Sequence, residues 1–95
     1  MRLRITRPAD RDIDDVLRYG REVYGDDRAG RYLMGLLEDL NRIADSPFTA
    51  QLRKEADPPV RLRVYLGHNI LYDVEGDEVL TLRILHDSVN WMHEL

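Results

Sequence analysis

Leu3 and Ile5 alternate with Arg2 and Arg4, the period of two expected of a short strand with one wet face. Pro8 tolerates only the start of a helix, and Asp10, Asp12, Asp14 and Asp15 crowd the first turns, where carboxylates favour the positive end of the helix dipole. From there Ile13, Val16, Leu17, Gly20, Val23 and Tyr24 form one apolar stripe at helical spacing. Gly25 can supply the left-handed residue that ends this helix, and Asp26 or Asp27 can cap the next. Leu33, Leu36, Leu37, Leu40, Ile43 and Ala44 repeat the stripe until Asp45-Ser46-Pro47 stops it. The pattern predicts an αα-hairpin whose joined stripes lie on an apolar surface.

Phe48 to Pro59 has no period, and Pro58-Pro59 opposes regular pairing, so this stretch reads as a surface connection. The period then becomes two. Val60, Leu62, Val64 and Leu66 share a face; Gly67 marks a turn; Ile70, Tyr72 and Val74 share the next face; and Glu75-Gly76-Asp77 is a second turn. Val79 to Leu85 is apolar on both sides except at Thr81 and Arg83, as in a central strand covered on both faces. The tail from Ser88 to Leu95 carries Val89, Trp91, Met92 and Leu95 on a segment too short for a stable helix of its own, so it must dock. A lone tryptophan suits either its own sheet or a target surface, and the target is the expectation taken here. The order β-α-α-β-β-β predicts an α+β fold, an N-terminal helical hairpin on a mostly antiparallel four-stranded sheet, with residues 1–95 as one domain.

Charge narrows the function. The chain is acidic, with a formal net charge of −4, which argues against a protein whose main work is gripping nucleic acid. The balance is uneven: residues 51 to 63 carry +2 through Arg53, Lys54, Arg61 and Arg63, whereas the chain from Val64 onward carries −5. Without cysteine there are no disulfides, thiol nucleophiles or Cys-ligated zinc, in keeping with a reducing compartment. No apolar stretch approaches the roughly 20 residues that span a bilayer, and the N-terminus lacks a signal-peptide block, so the expected location is the cytoplasm.

The residues at the joints of these elements carry a resemblance. The first helix holds Pro8-Ala9, Asp12-Ile13, Val16 and Tyr19; the second runs from Ala29 through Tyr32, Leu33 and Leu36 to Ile43 and Pro47. The C-terminal half adds Pro59-Val60-Arg61, Gly67-His68, Ile70-Leu71-Tyr72, Glu75-Gly76-Asp77 and Leu82-Arg83-Ile84-Leu85-His86. Taken in order, these resemble the ParE branch of the RelE/ParE superfamily of bacterial toxin-antitoxin toxins over essentially the whole chain. The chain departs from many relatives at Asp73, where a basic residue is common, and at Asn69, where the residue is often basic or apolar.

The resemblance implies a toxin neutralised by a ParD-like antitoxin whose C-terminal segment wraps it, and DNA gyrase as the target. It singles out His68, Tyr72, Arg83 and His86 on the last two strands as contacts for a target or antitoxin; holding the sheet end in place is the other role open to Arg83 and His86. Tyr72 and Arg83 are roughly equidistant from a tight turn, which permits cross-strand or diagonal contact. Arg61, Arg63 and Trp91 complete the candidates, with acidic antitoxin residues expected near Arg53, Arg61 or Arg63. A messenger-RNA endonuclease of the RelE kind is the alternative, since histidine, tyrosine and arginine suit phosphoryl transfer. Against it stands the single lysine, Lys54, where a basic cluster is expected. A family member that acts only within its antitoxin complex is a third reading. His68, His86 and His93 lack metal-ligand spacing, and the reading calls for no cofactor, no membrane and no direct contact with nucleic acid.

Overall fold

The computed structural model describes residues 1–95. Its elements run β1 (Arg2–Ile5), α1 (Arg7–Tyr24), α2 (Asp26–Asp45), β2 (Leu52–Arg53), β3 (Val60–Tyr65), β4 (His68–Glu75), β5 (Glu78–His86) and a 3₁₀ turn (Trp91–Glu94). The sheet order is β1-β5-β4-β3-β2. β1 lies parallel to β5, and the remaining pairs are antiparallel. The fold is therefore α+β as expected, with a fifth strand. β2 pairs Leu52 with Arg61 and Arg53 with Val60, inside the stretch read from sequence as a surface connection. Two residues are too few to write an alternation, and backbone pairing needs none.

Local chemistry sets the boundaries. Thr6 caps α1, its hydroxyl accepting the Ala9 N–H at 3.3 Å, and Pro8 occupies the first turn, where a missing N–H is harmless. Gly25, at φ +88°, breaks α1 from α2, and its N–H closes on the Arg21 carbonyl. Asp26 and Asp27 do not cap α2 through their side chains, contrary to the sequence reading; they stand in its first turn, facing the positive end of the dipole. Gly20 lets the two helices approach at Ala29, where an added Cβ would come within 3.0 Å of the alanine side chain. No helix is long and apolar enough to cross a membrane.

The sheet separates two apolar layers. Leu36, Leu40 and Ile43 of α2 pack with Ile70, Tyr72, Val79 and Ile84. Leu71 and Leu85 face the opposite side with Ala56 and Val60, joined by Leu62, Leu82, Val89 and Trp91. The central strands are thus covered on both faces, as the apolar run of β5 implied. Trp91 and Val89 dock the tail on the chain's own sheet, which overturns the expectation of a tail held free for a target. The outer face of the sheet has no helix, and the tryptophan covers it.

This docking predicts that Trp91→Ala lowers stability by about 2 kcal/mol, less than for a fully buried tryptophan. The melting temperature should fall by about 10 °C. Thermal denaturation followed by circular dichroism measures it, and an unchanged melting temperature would contradict the docked tail.

Candidate functional site

β1 pairs with β5 only from Glu78 to Thr81, so the edge of β5 lies open from Leu82 onward. Two α1-side residues complete it. The Thr6 hydroxyl lies 2.9 Å from the Thr81 carbonyl and 3.1 Å from that of Leu82, and the Asp12 carboxylate accepts the Ile84 N–H at 2.9 Å. Asp12 also receives Arg83 as a fork, Nε at 2.8 Å and Nη2 at 3.0 Å, while the same guanidinium reaches Glu94 in the tail at 3.6 Å. Hydrogen bonding to Asp12 holds Arg83 even further above the ordinary arginine range. A bulge lets this happen. Leu71 opposes Arg83 and Tyr72 opposes Thr81, leaving Leu82 as the extra residue. A strict alternation from Val79 and Thr81 would have aimed Arg83 into the helix-side core, a place that Ile84 takes instead.

A second fork ties α2 to the sheet. Arg63 donates Nε and Nη2 to Asp39, each at 2.8 Å, and Arg42 adds a bond to the same carboxylate at 3.3 Å. Arg61 donates to the Ala50 carbonyl at 2.6 Å and lies over the Phe48 ring. Tyr72 is buried, and its hydroxyl donates to the Pro47 carbonyl at 2.8 Å. Burial raises its pKa. Arg61, Arg63 and Tyr72 therefore fasten the end of α2 and the segment after it. Tyr72 and Arg83 do not meet, because the bulge puts the tyrosine in the core and the arginine on the open edge. Sequence reasoning passed over Asp12 and Asp39 as anchors, although both are carboxylates at core spacing, Asp12 between Ala9 and Val16, and Asp39 between Leu36 and Ile43.

His68 and His86 do come together. Their rings meet edge to face at 5.5 Å between centroids, and the Tyr32 hydroxyl lies 2.6 Å from His68 Nδ1. His86 Nδ1 accepts the Ser88 N–H at 3.2 Å, with the Ser88 hydroxyl at 2.7 Å. Burial lowers the His68 pKa, the neighbouring His86 lowers it further, and Asp87 opposes both; burial raises that of Tyr32. The pair lines a groove between α1 and the ends of β4 and β5. Its two open halves, about 560 and 580 Å³, share Val16, Tyr19, His68 and His86. Trp91 lies away from this groove, on the outer layer of the sheet. Arg83, at one end of the groove, is held by Asp12 and Glu94.

Comparisons with known proteins agree with this architecture. A family model described as ParE toxin of type II toxin-antitoxin system, parDE, matches residues 3–91. Toxin ParE1 of Caulobacter vibrioides is 30% identical over 87 residues, covering 92% of this chain and 90% of that protein. A solved structure titled as the chromosomal ParDE TA system from P. aeruginosa superposes with a TM-score of 0.80 at 23% identity, covering 90% of this chain and 95% of that one, a likeness of fold.

Two outcomes follow from the site. Asp12→Asn weakens the Arg83 fork at a nearly buried position, and is expected to cost about 2 kcal/mol, short of a fully buried pair because Arg83 keeps Glu94 and some water. Urea unfolding reads this as a lower midpoint at unchanged slope. His68 supplies a pH dependence. Its pKa is lowered in the folded state from about 6.5, so the unfolded chain binds the proton more readily. The contribution of the neutral ring is complete above that value and is lost as pH falls toward the folded pKa. Melting temperature should fall between pH 7.5 and 5.5 in the wild type, and fall less in His68→Gln; parallel curves would remove His68 as the cause.

Proposed function

We propose, from the premise that this chain belongs to the ParE toxin family of type II toxin-antitoxin systems, that it acts by binding, with DNA gyrase as target and a ParD-like antitoxin as its silencer. One observation carries the binding reading: the arginines and the tyrosine that the sheet offers for phosphoryl transfer are engaged within the fold. Arg63 is clamped by Asp39, Arg83 by Asp12 and Glu94, and Tyr72 by the Pro47 carbonyl. A ribonuclease built on this sheet needs Arg63 or Arg83 free to meet the charge that develops on the phosphorane, and both are held in forks. The acidic balance of the chain points the same way.

The rival reading, cleavage of messenger RNA on the ribosome, would draw on the contact between His68 and His86. A family member active only in its antitoxin complex would draw on neither. The two toxin readings part in a pair of assays. Purified protein is expected to inhibit gyrase supercoiling and to leave messenger RNA intact in a translation extract. Intact supercoiling together with codon-position cuts lost in His86→Ala would overturn the proposal in favour of cleavage. An absence of both effects, with no growth arrest on expression, would leave the complex-only role.

A further inference from the structure

The two hairpin turns of the sheet are built differently. Two-residue hairpin turns ordinarily need a positive φ at the first central position, where glycine or asparagine sits without strain. The turn between β4 and β5 obeys, with Gly76 at φ +59°. In the turn between β3 and β4 that position is Leu66, at φ +48°, while the glycine stands one residue later, outside the positive range. Leu66 is the one non-glycine residue of the chain with positive φ, and at 69% it is more exposed than any other large hydrophobic residue. The position carries two costs at once, a left-handed backbone for a bulky residue and an apolar side chain in water. Asparagine would remove both.

Leu66 lines the 580 Å³ half of the groove together with Tyr24, Arg28 and Arg31. That half has no aspartate or glutamate in its lining, in a chain where 18 acidic residues outnumber 14 lysines and arginines. Arg28 lies over the Tyr24 ring at 4.7 Å, and neither it nor Arg31 joins the ion pairs that engage Arg18, Arg21 and Arg42 elsewhere on the helices. An exposed leucine beside unpaired guanidiniums complements a segment that carries both apolar and acidic side chains. A nucleic-acid strand finds stacking faces in the tyrosines of this lining, but two arginines are few for a polyanion, and the net charge of −4 repels one.

We propose that Leu66 is the apolar anchor of a docking groove that takes an acidic, amphipathic segment of the antitoxin, with Arg28 and Arg31 receiving its carboxylates. The inference rests on the antitoxin reading above and adds the residues that would recognise the segment. Binding turns the exposed leucine into buried contact, so the backbone strain is offset only in the complex.

The test uses opposite signs. Full-length Leu66→Asn is expected to raise the melting temperature of the free protein by about 4 °C, since the turn loses its strain. The same variant should weaken binding of the small protein encoded beside this chain's gene at least tenfold, measured by isothermal titration calorimetry. Arg28→Ala with Arg31→Ala should also weaken binding and flatten its dependence on salt between 50 and 300 mM, with little change in melting temperature. Leu66→Asn that binds like wild type, or that melts lower, overturns the anchor. Wild type that ignores the neighbouring protein overturns the antitoxin reading as well, which separates the two failures. Tighter binding of a 15-nucleotide RNA than of the neighbouring protein would give the groove to nucleic acid.

Discussion

The short reach of β1 is the constraint on which this fold depends. Four residues pair with the start of β5, and the chain then turns into α1, which leaves a central strand with an open edge inside a protein. Unpaired backbone groups there are costly to bury. Thr6 and Asp12 complete the edge with side-chain oxygens, and Asp12 also holds Arg83. One carboxylate thereby sets the angle of α1, fixes the bulge at Leu82, and through Arg83 and Glu94 places the tail. The groove exists because α1 follows the edge without adding a strand to it.

Asp39 does for α2 what Asp12 does for α1. Each is a nearly buried carboxylate on a helix that receives an arginine fork from the sheet, so each helix is pinned by one polar contact within a largely apolar interface. Such forks add orientation more surely than stability, since desolvation offsets much of the attraction. Their consequence for function is that the arginines most prominent in the family resemblance are positioning residues in the free chain. The side chains left open to a partner are the tyrosines, histidines and arginines of the groove.

Much was legible from residue spacing. Period two at Leu3 and Ile5, the stripes through Ile13 to Leu17 and Leu33 to Ile43, and the doubly apolar run of β5 each follow from a periodicity that burial imposes, and the α+β order follows from them. The family was legible too, in the ordered series from Pro8-Ala9 to Leu82-Arg83-Ile84-Leu85-His86. The contact between His68 and His86 was not, because the turn at Gly76 by itself sets His68 opposite Leu85, and the extra residue in β5 shifts the pairing to His86.

What the tertiary structure alone decided concerns relations that periodicity does not encode. Tyr72 and Arg83 separate because a single extra residue reverses the alternation along β5, and a bulge leaves no mark in a run of apolar residues. β2 is too short to carry a pattern. Asp12 looked like a dipole partner and Asp39 drew no notice, since their arginines lie 71 and 24 residues away in sequence. Trp91 could dock inward or outward by composition, and the bare outer face of the sheet draws it inward. Local periodicity determines which elements form and which faces they bury; which charge meets which across the fold depends on register, on the bulge and on where β1 ends.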